Sequence, residues 1–415
     1  MKREVASKDK EIKKIRKIKP YKPTFSTFDT AVIVVITCVM SLGFGYIIAL
    51  RTTRGGMTAS NNSDDLKQIA DVYNEIKENY YGDINDEQLV NGAIAGMMQS
   101  LGDPYSSYIG NSDSNSLDIK LDGSYTGVGI EVVNNKEGNI EIVRVFENGP
   151  ASKAGMKPGD IILKLNDVDY TNKVSSELSK KIANYNNKEL KFQIKRDNQI
   201  YNFNVKRSNI IIKSVDYKIY NEDNKKVGYI AVDVFSKVTY SQFSDALKQL
   251  EKENINCLII DLRNNTGGYL TVAEDMISLF LNKDKVIYQI QKKASIKKYY
   301  SNGNDTKKYP IVLLVNETSA SASELMTSAL QEQLGATVIG KTTFGKGTVQ
   351  ELKKTDTNSE YKITTKKWLT SKGKWINGVG IKPDIEVDQN DQYFNSPTEE
   401  NDTQLKKALE YVKNK

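Results

Sequence analysis

The sequence contains no histidine and only two cysteines among 415 residues. Without imidazole there is no Ser-His-Asp or Cys-His catalytic arrangement and no metal site that needs histidine. Two cysteines cannot build a four-Cys zinc site. No metal and no organic cofactor is expected, and chemistry is left to hydroxyls, amines, carboxylates, amides and backbone groups. Cys38 lies in a long apolar run and Cys257 in the apolar segment INCLIID, so no bridge between them is expected. Whatever part is exported must then be held together by its core rather than by an internal disulfide.

The bulk of the chain also lacks an excess of charge of either sign. Residues 1–22 carry ten of the 59 Lys and Arg and three of the 52 acidic residues, which leaves 49 of each for the remainder. A nucleic-acid-binding domain would need a basic surface of its own, so no nucleic-acid partner is expected. The basic tail has a nearer explanation. Residues 31–50, AVIVVITCVMSLGFGYIIAL, are uncharged and long enough to span a bilayer as a helix. Positive residues before such a span place the N-terminus in the cytoplasm and the following chain outside. The alternative is a cleaved signal peptide, whose apolar region is normally shorter.

At this length two or three domains are expected. Residues 51–63 read as a linker. From Asp64, the residues Leu66, Ile69, Tyr73, Ile76 and Tyr80 recur at spacings of three and four and predict an amphipathic helix. A second helix is expected over Asp86–Leu101, stopped by Gly102-Asp103-Pro104. This helical unit, residues 64–118, shows no catalytic pattern; packing or pairing of two copies as a homodimer is its expected role.

Residues 119–207 consist of short β-like runs separated by turns. ENGPASKAGMKPGDIILKLNDVDY stands in their middle, and the segment resembles a PDZ domain of the bacterial protease type. In that resemblance the loop Gly127-Val128-Gly129-Ile130 offers backbone N–H groups to a peptide's terminal carboxylate, and the neighbouring strand edge pairs with its last residues. The plainer reading is that these glycines only shape a turn.

From about residue 226 continuous apolar strands alternate with helices, as in a largely buried, partly parallel sheet. Sites in such sheets gather at the carboxyl ends of strands. Two loops stand there: DLRNNTGG, residues 261–268, and VNETSASASE, residues 315–324, which runs into a helix. A serine at a helix N-terminus lies beside unsatisfied N–H groups and the positive end of the dipole, which suits a nucleophile whose reaction develops an oxyanion. Serine is also a common cap with no further role. A base must then be an uncharged, buried lysine. GKTTFGKGTVQ offers Lys341 and Lys346; in an extended strand residues 346, 348 and 350 share a face, which would let Gln350 reach Lys346. A solvated surface lysine is the alternative.

Taken together, GAIAGMMQSLGDPYSSYI, the PDZ-like segment, DLRNNTGG, VNETSASASE, GKTTFGKGTVQ and GVGIKPD resemble the C-terminal processing peptidases, or tail-specific proteases, over about residues 64–411. These are serine endopeptidases with a Ser-Lys dyad and an inserted PDZ domain. The resemblance implies Ser321 as nucleophile, Lys346 as general base and Gln350 as the residue that orients it. It implies backbone N–H groups of Gly267 and Ala322 as the oxyanion hole. Thr266 stands where the family's loop has proline, which frees an N–H and is expected to loosen the loop.

The expected fold class is therefore α+β and multidomain: a basic tail (1–30), a transmembrane signal-anchor helix (31–50), a helical domain (64–118), a PDZ domain (119–207), an α/β protease core with a largely parallel sheet (208–390) and a helical tail (391–415). The expected function is extracytoplasmic hydrolysis of polypeptides with apolar C-terminal tails, at a bacterial cell membrane. The alternative is an inactive PDZ scaffold that binds exported C-termini.

Overall fold

The computed structural model describes residues 60–110, 119–185, 189–304, 307, 309–354 and 359–414. The apolar run 31–50 lies outside them, and among the described residues no helix is long and apolar enough to cross a membrane. The chain divides into two units, residues 1–90 and 91–415.

In the first unit a helix runs from Ser60–Asn79. Of its predicted apolar stripe, Leu66 and Ile69 and the following Tyr80 are exposed, while Tyr73 and Ile76 are half-buried.

In the second unit the PDZ-like segment is an antiparallel sheet in the order Ile130–Asn134, Ile140–Val145, Ile161–Leu165, Glu189–Arg196, Gln199–Lys206. Alternate residues of these strands (Ile140, Ile142, Ile162, Phe192, Ile194) meet Leu178 and Ile182 of the helix Ser175–Ala183 in one core, as the two-residue period of a strand requires. Ile130–Asn134 is an edge strand. Ser124–Gly127 pairs with Ser208–Ile211 and carries the chain in and out of this sheet.

The rest of this unit is built on a six-stranded sheet in the order Val215–Glu222, Lys225–Val232, Cys257–Asp261, Ile311–Val315, Thr337–Gly340, Ile385–Glu386. All pairings are parallel except the first. The strands read as continuous apolar runs because both faces are covered. On one face Ile230, Leu258, Ile260, Leu313 and Val338 pack against the helices Thr239–Lys252, Leu270–Ser278 and Ala322–Leu334. On the other, Cys257, Ile259, Val312, Leu314 and Ile339 meet Leu405, Ala408 and Val412 of the last helix, Thr403–Lys413. That helix is the second covering layer of the core.

The last helix is also pinned by charge. Arg263, in the loop after Cys257–Asp261, bonds Asp261 Oδ2 at 2.6 Å and Asp402 Oδ2 at 2.8 Å, while the Asp402 carboxylate caps Leu405 N. Removing one partner of a buried pair leaves an uncompensated charge at a cost of about 3–5 kcal/mol.

A second, antiparallel sheet joins distant parts of the chain. Glu360–Leu369 pairs along one edge with Thr348–Lys354. Along the other edge it pairs with Ser107–Gly110 at its start and Val286–Lys292 at its end, the latter followed by Ser295–Tyr300. GVGIKPD forms a run of turns with Gly378 and Gly380 at positive φ, and Ile385–Glu386 follows as a strand.

Candidate active site

Three neighbouring parallel strands, ending at Asp261, Val315 and Gly340, send their carboxyl-terminal loops to the same place. The middle loop carries the serines. Ser319 is wholly buried; its hydroxyl donates to Leu262 O at 2.8 Å and accepts from Asn316 N. Ser323 is equally buried and donates to Asn265 O at 2.8 Å. Both therefore tie this loop to the first loop. Ser321 differs. It is the N-cap of the helix Ala322–Leu334 and holds φ at 56°, a left-handed conformation that a residue with a side chain keeps only when its surroundings impose it.

The imposing group is Glu324. Its carboxylate is fully buried and accepts four hydrogen bonds: from Ser321 N (2.8 Å), Thr343 Oγ1 (2.6 Å), Gly345 N (2.6 Å) and Lys346 N (2.9 Å). Burial pushes its pKa up, and the donors work against that. Ser321 N and Lys346 N meet at the same oxygen, Oε2. The serine loop and the lysine loop are thus held together through one atom. Glu324 has no role in the sequence reading, although Ser321-x-x-Glu324 is the spacing of a capping box.

The two candidate lysines separate clearly. Lys341 Nζ lies 2.8 Å from both Glu386 and Asp388, which hold it protonated well above the usual lysine range. Lys346 is half-buried, and its pKa is lowered, first by burial and then by Lys362, against the pull of Glu324 and Asp103. Its ammonium nitrogen stands 4.9 Å from the centre of the Tyr105 ring, a cation–π contact. Trp368 Nε1 donates to Lys346 O at 2.7 Å. Among the described residues no hydrogen bond joins Lys346 Nζ to Ser321 Oγ. Gln350 is likewise turned elsewhere: its amide donates to Thr348 Oγ1 at 2.9 Å and Thr364 Oγ1 at 3.1 Å.

Gly267 and Ala322 do come together. A Cβ at Gly267 would lie 2.9 Å from Ala320 O, 2.9 Å from Ser321 Cβ and 3.2 Å from Ala322 N, and φ there is +107°. Glycine is required both for space and for conformation. The Gly267 N–H itself donates to Asn265 Oδ1 at 2.8 Å, and Asn265 Nδ2 donates to Val232 O. Together with Phe235 N donating to Gly267 O, these bonds hold the loop that Thr266 was expected to loosen.

Tyr105 and Asp103 were read as the inert end of a helical unit. Asp103 accepts from Ser106 Oγ and Tyr105 N, which turns the chain so that the Tyr105 ring lies beneath Lys346. In the PDZ-like segment Gly129 holds φ at +80°, its carbonyl accepts from Phe146 N, and Val128 O accepts from Ala151 N. Gly127 ends the strand paired with Ser208 and Ile130 begins the edge strand.

Comparison with known proteins agrees with this division. Residues 226–387 match the peptidase family S41 model, 126–206 a PDZ domain model and 49–113 the model of the activating protease CtpB N-terminal domain. The carboxy-terminal processing protease CtpA of Bacillus subtilis is 36% identical over 359 residues, covering 86% of this chain and 76% of that one.

The chain is a serine peptidase of family S41.

The peptidase is similarly 36% identical to CtpB of Bacillus subtilis over 353 residues, 84% of this chain and 72% of that protein. The fold of the S41 peptidase is shared by a solved structure described as an S41 protease from Bacteroides fragilis (TM-score 0.50, 18% identity, 80% of this chain and 98% of that one).

Proposed function

We propose that this S41 peptidase is a membrane-anchored, outward-facing endopeptidase in which Ser321 and Lys346 form the catalytic dyad. The observation that carries the reading is the Glu324 oxygen shared by Ser321 N and Lys346 N, which fixes nucleophile and base loops to each other. Neutral Lys346 takes the proton of Ser321 Oγ as that oxygen attacks a peptide carbonyl. Ala322 N–H, at the unsatisfied start of a helix, and Gly267 N–H stabilise the resulting oxyanion; Gly267 exchanges its bond to Asn265 for it. The C–N bond breaks, and the leaving amine takes the proton from Lys346. Lys346 then deprotonates water as it attacks the acyl-Ser321 ester, and returns that proton to Ser321 Oγ as the acyl–oxygen bond breaks and the acid leaves. Gln350 orients Lys346 after leaving Thr348 and Thr364.

The PDZ domain recruits apolar C-terminal tails of polypeptides at the Gly127–Ile130 loop and the Ile130–Asn134 edge. The run 31–50 anchors the chain in a bacterial membrane with the catalytic part outside. The uncovered stripe Leu66, Ile69 and Tyr80 supports pairing of two copies, which light scattering would show as twice the chain mass.

The test compares the full-length protein with Ser321→Ala and Lys346→Ala on an unfolded reporter protein ending in apolar residues. Each variant is expected to lose at least about 10⁴-fold in turnover, by analogy with other serine hydrolases. Variants that cleave like the parent refute the dyad. A parent that binds the reporter and never cleaves it establishes a scaffold instead.

A further inference from the structure

The second sheet has a hole in it. The edge of Glu360–Leu369 that faces away from Thr348–Lys354 pairs with Ser107–Gly110 only at residues 360–362 and with Val286–Lys292 only at 367–369. Among the described residues no strand pairs with this edge at Ile363–Lys366, a gap about 13 Å long at the usual rise of a strand. A cavity of about 680 Å³ lies along this gap. Its apolar walls come from Leu101, Ile363 and Trp375, and its basic rim from Lys293, Lys366 and Lys367.

We infer that this groove binds an extended stretch of the substrate polypeptide that carries acidic side chains beside apolar ones. The inference rests on the endopeptidase reading and names what that site selects. Three features of the groove choose the occupant. Along this open edge the Thr364 N–H is already taken by Ser106 Oγ at 3.0 Å, and the backbone groups left without a strand partner are satisfied by another extended backbone. Apolar walls take alternate side chains of such a strand. The charge is one-sided: three lysines face a single carboxylate, Asp103, which already accepts from Ser106 and Tyr105. Lys366 is paired with Glu351, whereas among the described residues neither Lys293 nor Lys367 enters an ion pair, and Lys367 Nζ rests 3.9 Å from the Trp375 ring centre.

The groove also touches the catalytic loop. Gly347, next to Lys346, donates its N–H to Asn377 Oδ1, and its carbonyl accepts from Trp375 Nε1 at 2.9 Å. Asn377 and Trp375 both line the groove. A chain seated there lies against the residues that set the position of Lys346.

Trp375 provides the readout, because the chain has two tryptophans and the other, Trp368, is fully buried. Full-length protein carrying Ser321→Ala is titrated with an N-acetylated, C-amidated octapeptide alternating Leu and Glu, with its Leu–Gln and Leu–Lys counterparts, and with the Leu–Gln peptide bearing a free carboxyl end. The Leu–Glu amide is expected to change Trp375 emission and to bind about five-fold more tightly than the Leu–Gln amide, the contribution of two exposed ion pairs. That preference should vanish in 1 M salt and reverse toward Leu–Lys in a Lys293→Glu, Lys367→Glu variant. Trp375→Phe should remove the signal. Equal binding of the Glu and Gln peptides overturns the proposal, as does no response at all. A response confined to the free-carboxyl peptide overturns it too, making the groove a seat for chain ends. All of this is read without turnover, so its failure stands apart from failure of the Ser321–Lys346 test.

Discussion

The two halves of the candidate site are built differently. On the serine side Ser319, Ser323, Glu324 and Asn265 are wholly buried; Ser319, Ser323 and Glu324 bond groups in a neighbouring loop, and Asn265 bonds Val232 O and Gly267 N. On the lysine side Lys346 is half-buried, its amine rests on an aromatic ring, and Gln350 is engaged by two threonines. Ser321 is fixed in a strained conformation by groups that cannot easily move. Lys346 is held by contacts of modest strength that can be exchanged. In the proposed mechanism such a site is preorganised where the oxyanion would form and adjustable where the proton would move.

The largest break in that contrast is predicted at Glu324. Glu324→Ala leaves Ser321 N, Gly345 N, Lys346 N and the Thr343 hydroxyl without their acceptor. Each buried unsatisfied donor costs about 1–3 kcal/mol, so the urea midpoint should fall sharply and kcat/KM with it. Glu324→Gln keeps the shape but points an NH₂ at donors, and an intermediate loss is expected in both measurements. If Glu324→Ala unfolds normally and cleaves at the parent rate, the serine side is not the rigid half. Gly267→Ala comes next. Its Cβ would press on Ala320 O and Ser321 Cβ at 2.9 Å in a conformation that disfavours side chains. The expected result is a fall of about 10²-fold in kcat, the scale of one lost oxyanion donor, with little change in KM.

What could be read in advance follows the same division. The parallel strands are continuous apolar runs and the serine loop sits where one of them meets a helix, so the core and the candidate serine loop are local patterns. The lysine side is assembled from residues far apart: Ser107 pairs with Lys362, and Lys346 lies over Tyr105. No periodicity connects such segments. Glu324 was visible as the fourth position of a capping box, but a cap alone does not announce that it also holds Thr343, Gly345 and Lys346. The last helix, with its stripe Leu405, Ala408 and Val412, was recognisable as amphipathic; that it closes the open face of the sheet was not, because the apolar strands do not say which helix covers them.

The smallest effects are the most discriminating, because they carry a sign. Burial and Lys362 lower the Lys346 pKa, which favours the neutral amine that the proposed mechanism needs. Cleavage should therefore rise with pH through that pKa; a rate constant from pH 5 to 10 contradicts a titrating lysine base. The Tyr105 ring acts in the opposite sense, because its face stabilises the ammonium by about 0.5–1 kcal/mol. Tyr105→Leu keeps the amine covered and removes that attraction. The ascending limb of the kcat/KM profile should move about half a unit to lower pH, raising the rate at neutral pH about threefold. Lys362→Ala removes a repulsion and should move the limb to higher pH. Opposite shifts in the two variants would establish that Tyr105 tunes the base. Parallel shifts, or a change in rate without movement of the limb, would reduce Tyr105 to a packing residue and leave the lysine side as rigid as the serine side.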